Sequence, residues 1–228
     1  MSGPKLRQDY GDASMLAVEP DGSTPISIGL GIGRVLDKSG AGNTAAQATS
    51  TSRAIWRGTY AAFDGVDDSV STIANFDLTS TPFVTLVMGV RKRSDASRGV
   101  AVGFGPTSAV GGLALELPSA ALNNVLMRTS NGTTTGMTMP APATMVIVAE
   151  YRIGGLNRLT VNGVAVTSNN ALTGSFGSFV LDVGRLLGAG TAAAIDLYEL
   201  QLIGAELTTD QKTMLSQYMA QKTGIVLP

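Results

Sequence analysis

The 228-residue sequence carries 16 basic and 17 acidic side chains, a net charge of −1, and contains neither cysteine nor histidine. That excludes disulfides, thiolate nucleophiles, zinc–cysteine sites and a Ser-His-Asp triad, and removes the commonest general base. With 14% of residues charged there is no broad basic field for nucleic acid, and the longest mildly apolar stretch, residues 26–36, is broken by glycines and too short to insert in a membrane.

The opening Met1-Ser2-Gly3-Pro4-Lys5 leads into no apolar segment of secretory type, so synthesis in a cytoplasm is expected. Residues 1–25 are rich in Pro, Gly, Asp and Ser and show no sustained period. They read as an extended N-terminal arm without a core of its own. Such an arm frays unless something holds it. Its apolar residues Met15, Leu16 and Val18, with Ile26 beside them, are the candidate anchors on a partner subunit.

From residue 59 the pattern turns to short β runs: 59–63, a turn at Asp64-Gly65-Val66-Asp67-Asp68, then 69–73. Segment 83–90 is apolar on both faces, which predicts a strand covered on both sides. Strands are predicted at 100–104, 113–117, 125–128 and 145–153. Segment 159–166 contains Asn162-Gly163, a hairpin signal because both turn positions need positive φ. Segments 179–186 and 195–203 complete the set. Many short strands between Gly, Asn and Ser turns predict an all-β antiparallel sandwich or jelly roll, one domain over residues 26–206. No repeat points to a propeller or solenoid.

The period changes at the end. Thr208 and Gln211 fit a capping box. Leu207, Met214, Leu215, Tyr218 and Met219 form a stripe at helical spacing, and Gly224 stands where a C-cap glycine belongs. Residues 207–228 should thus hold one α-helix, from about Thr209 to Lys222, packed on the sandwich with its tail.

Four segments carry a resemblance. Val35-Leu36-Asp37-Lys38-Ser39-Gly40-Ala41-Gly42-Asn43 resembles the Asp-x-Ser-Gly-x-Gly-Asn segment of laminin-G-like, concanavalin A-like jelly rolls. Phe63-Asp64-Gly65-Val66-Asp67-Asp68 resembles their Phe-Asp-Gly-x-Asp-Asp turn, and Val161-Asn162-Gly163 their Val-Asn-Gly hairpin. Tyr198-Glu199-Leu200, Leu207-Thr208 and Lys222-Thr223-Gly224-Ile225 resemble their last strand and helix. With Asp21-Gly22-Ser23-Thr24-Pro25-Ile26 in front, the order is similar to that of structural proteins of tailed bacteriophages. The resemblance implies a virion component of tail, fibre or head decoration, working through contacts with other virion proteins and copies of itself. The alternative it implies is a carbohydrate-binding, lectin-like module for attachment to a host surface glycan. Ser69 stands where the family often has an aromatic residue, so no aromatic ligand platform is expected there.

The chemistry expected is binding rather than catalysis. Glucanases of this superfamily carry Glu-x-Asp-x-Glu on one strand, and no such run occurs here; Glu116, Glu150 and Glu199 are isolated. Glycoside hydrolysis needs two carboxylates about 5–9.5 Å apart, and no cofactor is implied. Asp64, Asp67 and Asp68 are candidate calcium ligands, since laminin-G-like domains often bind calcium; they are equally the residues a tight turn uses. Trp56 suits core packing or sugar stacking. Arg91-Lys92-Arg93, with Arg98 near, is a solvated strand end or a contact for an acidic partner. Gly29, Gly31 and Gly33 echo a nucleotide loop but lack the surrounding βαβ unit.

Overall fold

A computed structural model describes residues 4–105, 111–120, 123–129, 134–186 and 191–228. Alternation along the strands builds two facing antiparallel sheets around one apolar core, the β-sandwich the turn pattern predicts. Across the first sheet the order is Val164–Ala171, Leu156–Val161, Ala143–Arg152, Phe83–Lys92, Ala194–Ile203, Ala61–Asp64 and Ile55–Trp56. The second runs from Thr134–Thr138 through Asn124–Thr129, Leu113–Glu116, Val100–Phe104, Leu181–Val183, Val70–Thr72, Ala45–Ala46 and Arg34–Val35 to Leu16–Ala17. The Asn162-Gly163 hairpin forms as its sequence requires, with φ of 49° and 85°.

The two-faced strand finds both its coverings. Leu86, Met88 and Val90 point into the core, while Val87 lies with Val146 and Val148 under the C-terminal helix. That helix spans Thr209–Thr223 with the complete Thr208/Gln211 capping box, and Gly224 adopts φ 73°. Met219 and Ala220 are its buried residues, with Leu215 and Tyr218 partly covered. Met214 departs from the predicted stripe and stands 64% exposed, on the solvent side. Gly89 permits the close approach, because a Cβ there would lie 2.8 Å from Thr223. No helix among the described residues is long and apolar enough to cross a membrane.

The N-terminal residues are extended, but they do not form a separate arm. Leu6–Asp9 pairs with the second half of Ala194–Ile203, in line with Ala61–Asp64 on the first half. Leu16–Ala17 then forms the edge of the opposite sheet. Leu6, Tyr10, Leu16 and Ile26 are all buried in the shared core, and Val18 packs against it. The partner-anchor expectation for Met15, Leu16, Val18 and Ile26 is corrected for Leu16 and Ile26, which belong to this chain's own core; Met15 and Val18 are partly exposed. Gly33 has a related cause. A Cβ at Gly33 would stand 2.0 Å from the Val18 carbonyl oxygen.

Charged side chains tie the N-terminal segment to the helix. The buried Glu199 carboxylate accepts from Arg7 Nε at 2.7 Å, Gln201 Nε2 at 2.7 Å and the Tyr218 hydroxyl at 2.6 Å. Lys222 reaches Asp9 at 2.6 Å and Glu199 at 3.3 Å, and Lys38 bridges Asp9 and Asp12. Burial works against the Asp9 charge, but Lys222 and Lys38 outweigh it and hold its pKa below the ordinary carboxylate value.

Candidate functional site

The helix covers the middle of the first sheet's outer face and leaves both flanks open. On one flank, strand phase creates an aromatic projection. The inward residues of Ala194–Ile203 shift from odd (Ile195, Leu197) to even (Leu200, Leu202), which demands an extra residue. The irregularity falls between Leu197 and Glu199 and sets Tyr198, half-buried, on the outer side. Facing it is the turn from Ile55–Trp56 to Ala61–Asp64, closed by Arg57 N–H donating to the Tyr60 carbonyl at 2.9 Å. Gly58 takes φ 92° there, as the turn requires. The Tyr60 and Tyr198 rings lie 5.4 Å apart at 48°.

Charged side chains lie beside Tyr198. Asp196, two residues before Tyr198 on the same face, is only 4% exposed, and its carboxylate lies 3.6 Å from Arg91 and 3.4 Å from Arg93. Burial raises the Asp196 pKa, while Arg93, Arg91 and Arg57 oppose the shift. Burial also raises that of Tyr198, helped by Asp196 and Tyr60. A cavity of about 400 Å³ adjoins, walled by Arg53, Arg57, Arg93, Asp64 and Asp68. The arrangement offers two ring faces, several guanidinium donors and a shallow recess.

At the rim of that recess the predicted acidic turn is assembled. One carboxylate oxygen from each of Asp64, Asp67 and Asp68 lies within 4.8 Å of the others. The turn uses three carboxylate oxygens itself. Asp64 Oδ1 accepts from Val66 N–H, Asp68 Oδ2 from Asp64 N–H, and Asp67 Oδ2 from the Ser52 hydroxyl. Burial, with the Asp64 and Asp67 charges adding to it, pushes Asp68 up to about 6. The second oxygens of the three carboxylates supply half of the six that calcium minimally wants.

The other predicted candidates separate. Arg91 and Arg93 are exposed on the outer face, but Lys92 alternates inward and is corrected from partner contact to core residue: it is 0% exposed, with its ammonium 2.5 Å from Asp95. Trp56 is buried and donates its Nε1–H to the Tyr10 carbonyl at 2.9 Å, so it packs. Glu116 lies buried in the second sheet against Arg98 and Arg128. Glu150 pairs with Lys212, and Glu199 lies two strands away from it in the first sheet. Glu150 faces Thr85 while Glu199 faces Gly89, so the two are about 10 Å apart across the sheet and about 13 Å along it. These three glutamates form no hydrolytic pair. Tyr60, Tyr198, Arg57 and Asp196 were not singled out from the sequence as binding residues. The signal available was the phase shift in 195–202, which pushes Tyr198 out beside Asp196.

The opposite flank holds a larger groove of about 630 Å³ between the helix, the tail 225–228 and the Ala143–Arg152 and Leu156–Val161 strands. Its lining has no aromatic side chain.

No protein-family model matches the chain, and no curated protein matches it. Solved structures do. A Trypanosoma rangeli sialidase in complex with sialic acid superposes with a TM-score of 0.61 at 14% identity, over 85% of this chain and 32% of the sialidase. The receptor-binding domain of a botulinum neurotoxin C/D mosaic gives 0.62 at 8% identity, over 95% of this chain and 51% of that domain. The fold is an antiparallel, jelly-roll-like β-sandwich. The ligand-binding domain of botulinum neurotoxin serotype D, in complex with N-acetylneuraminic acid, gives 0.61 at 9% identity with the same coverages. The chain thus spans about a third to a half of these proteins' length, and at such identities the likeness is one of fold.

Proposed function

We propose that this chain is a carbohydrate-binding module whose site is the Tyr60–Tyr198 face. The observation that carries this reading is the half-buried ring pair, 5.4 Å between centroids, set beside guanidiniums anchored on Asp196. Aromatic faces cover the apolar C–H side of a sugar ring, and fixed polar groups beside them pair its hydroxyls. Two of the similar folds were solved with sialic acid or N-acetylneuraminic acid bound, which supports a glycan ligand here. The virion role implied by the sequence resemblance is compatible with this reading, since a particle attached through a surface glycan needs such a module. That placement, with partner virion proteins and self-association, rests on the resemblance alone.

The test is an oligosaccharide array probed with the full chain, followed by titration calorimetry on the best hit. Tyr198→Ala should weaken binding at least tenfold, equivalent to about 1.4 kcal/mol, with the thermal transition preserved. An array with no retained glycan, or a Tyr198→Ala protein that binds unchanged, contradicts the reading.

A further inference from the structure

The geometry points to an anionic saccharide as the ligand of the Tyr60–Tyr198 face, with its acid group held by Arg57 and Arg91. This rests on the glycan-binding reading and narrows it to a substrate class.

Charge is layered across this face. Three guanidiniums reach this patch: Arg57 from the hairpin turn, Arg91 from an outward position near the end of Phe83–Lys92, and Arg93 from just beyond that strand. The Asp196 carboxylate beneath them is 4% exposed, whereas the Arg91 side chain is 47% and the Arg93 side chain 35% exposed. A ligand approaching from solvent meets cations first. One buried carboxylate cannot neutralise three guanidiniums, and its contacts of 3.4 and 3.6 Å are longer than the 2.7–2.9 Å of a charge-assisted hydrogen bond.

Unused donors follow. Arg93 spends one N–H on the Phe63 carbonyl, and Arg53, on the far side of the recess, has Glu19 at 3.4 Å. The Arg57 side chain makes no hydrogen bond or ion pair among the described residues. The nearby acids do not remove this surplus. Asp64 accepts from Val66 N–H, Asp67 from the Ser52 hydroxyl and Asp68 from Asp64 N–H, and none of the three forms an ion pair with Arg57 or Arg91 among the described residues. Each guanidinium presents five N–H groups in a planar fork, matched to a carboxylate or sulfate oxygen pair. Arg91 is the cross-strand partner of Asp196, two residues before Tyr198 on the outer face, so a ring stacked on the tyrosines would bring its acid group toward that guanidinium. A neutral sugar would offer those forks single hydroxyl acceptors and no paired anionic oxygens.

The experiment compares carboxylated, sulfated and neutral oligosaccharides of one backbone, titrated into the full chain at low and high salt. The anionic forms should bind at least tenfold tighter than the neutral one, and that preference should shrink as salt rises. Arg57→Gln is the cleanest variant, because the side chain it replaces is exposed and unpaired. It and Arg91→Gln should bring anionic and neutral affinities together, whereas Tyr198→Ala should weaken all. Preference for the carboxylated or the sulfated form identifies the acid. Equal, salt-independent binding of neutral and anionic sugars, or an arginine variant that keeps the preference, overturns the anionic assignment while leaving a glycan site standing. No binding to any of them overturns both.

Discussion

Asp68 shows how a turn residue carries a cost. Its carboxyl titrates at about 6, above the ordinary 3.8, because burial and two neighbouring aspartates disfavour the charge. The folded protein therefore holds this proton more tightly than the unfolded chain. The sign follows: stability falls as pH rises between about 4 and 6, and the full cost is present at neutral pH. Asp68→Asn keeps an acceptor for the Asp64 N–H and removes the charge. It should raise the melting temperature at pH 7, by about 2–4 °C per kcal/mol relieved, and bring no gain at pH 4. EDTA should leave both melts unchanged. A calcium-dependent rise in the native melt, lost in Asp68→Asn, would make the turn an ion site instead. The turn was legible in Asp64-Gly65-Val66-Asp67-Asp68 because short-range hydrogen bonds form it. Lys92 was not, since its inward position depends on the phase of a ten-residue strand whose both faces are buried.

At the scale of elements, the C-terminal helix was the most legible piece, because its capping box, stripe and C-cap are all local signals. What it rests on was hidden, since Arg7, Asp9, Lys38 and Glu199 meet only through long-range pairing. Glu199 is the hub. Glu199→Ala leaves Arg7 and the Tyr218 hydroxyl without their buried acceptor, while Lys222 keeps Asp9, a class of change that costs about 3–5 kcal/mol. Tyr218→Phe removes the hydroxyl's bond to Glu199 and the one it accepts from Arg7, whose guanidinium keeps Glu199, a loss of about 1.5–3 kcal/mol. Urea midpoints should fall in that order, with Glu199→Ala the lower. A Glu199→Ala protein with an unchanged midpoint would show that the network adds nothing. The phase shift at Tyr198 lies at this scale too: the pattern was in the sequence, but only strand pairing shows which side the extra residue takes.

At the scale of the molecule, the N-terminal segment changes the account most. Its composition reads as disordered because the chain crosses from one sheet to the other in pieces of two to four residues, too short for any periodicity. Yet it supplies a strand to each sheet and buries Leu6, Tyr10 and Leu16. Each such side chain contributes about 1.5–3 kcal/mol, against a total stability of roughly 5–15 kcal/mol. Deleting residues 2–20 should therefore give insoluble or molten protein with no cooperative melt. A folded monomer from that deletion would restore the detachable arm. The sandwich was legible from its turns and hairpin, whereas the proposed ligand face was not, because it joins a turn at 57–60 to residues 91–93 and 196–198, which come together only through strand pairing.

That face is the central claim, and amide chemical shifts locate it directly. With isotope-labelled protein titrated with the best-binding oligosaccharide, the account expects the largest perturbations at Arg57–Tyr60, Arg91, Arg93 and Asp196–Tyr198. Perturbations centred instead on the groove between the helix and the Leu156–Val161 strand, with the tyrosine face silent, would contradict it.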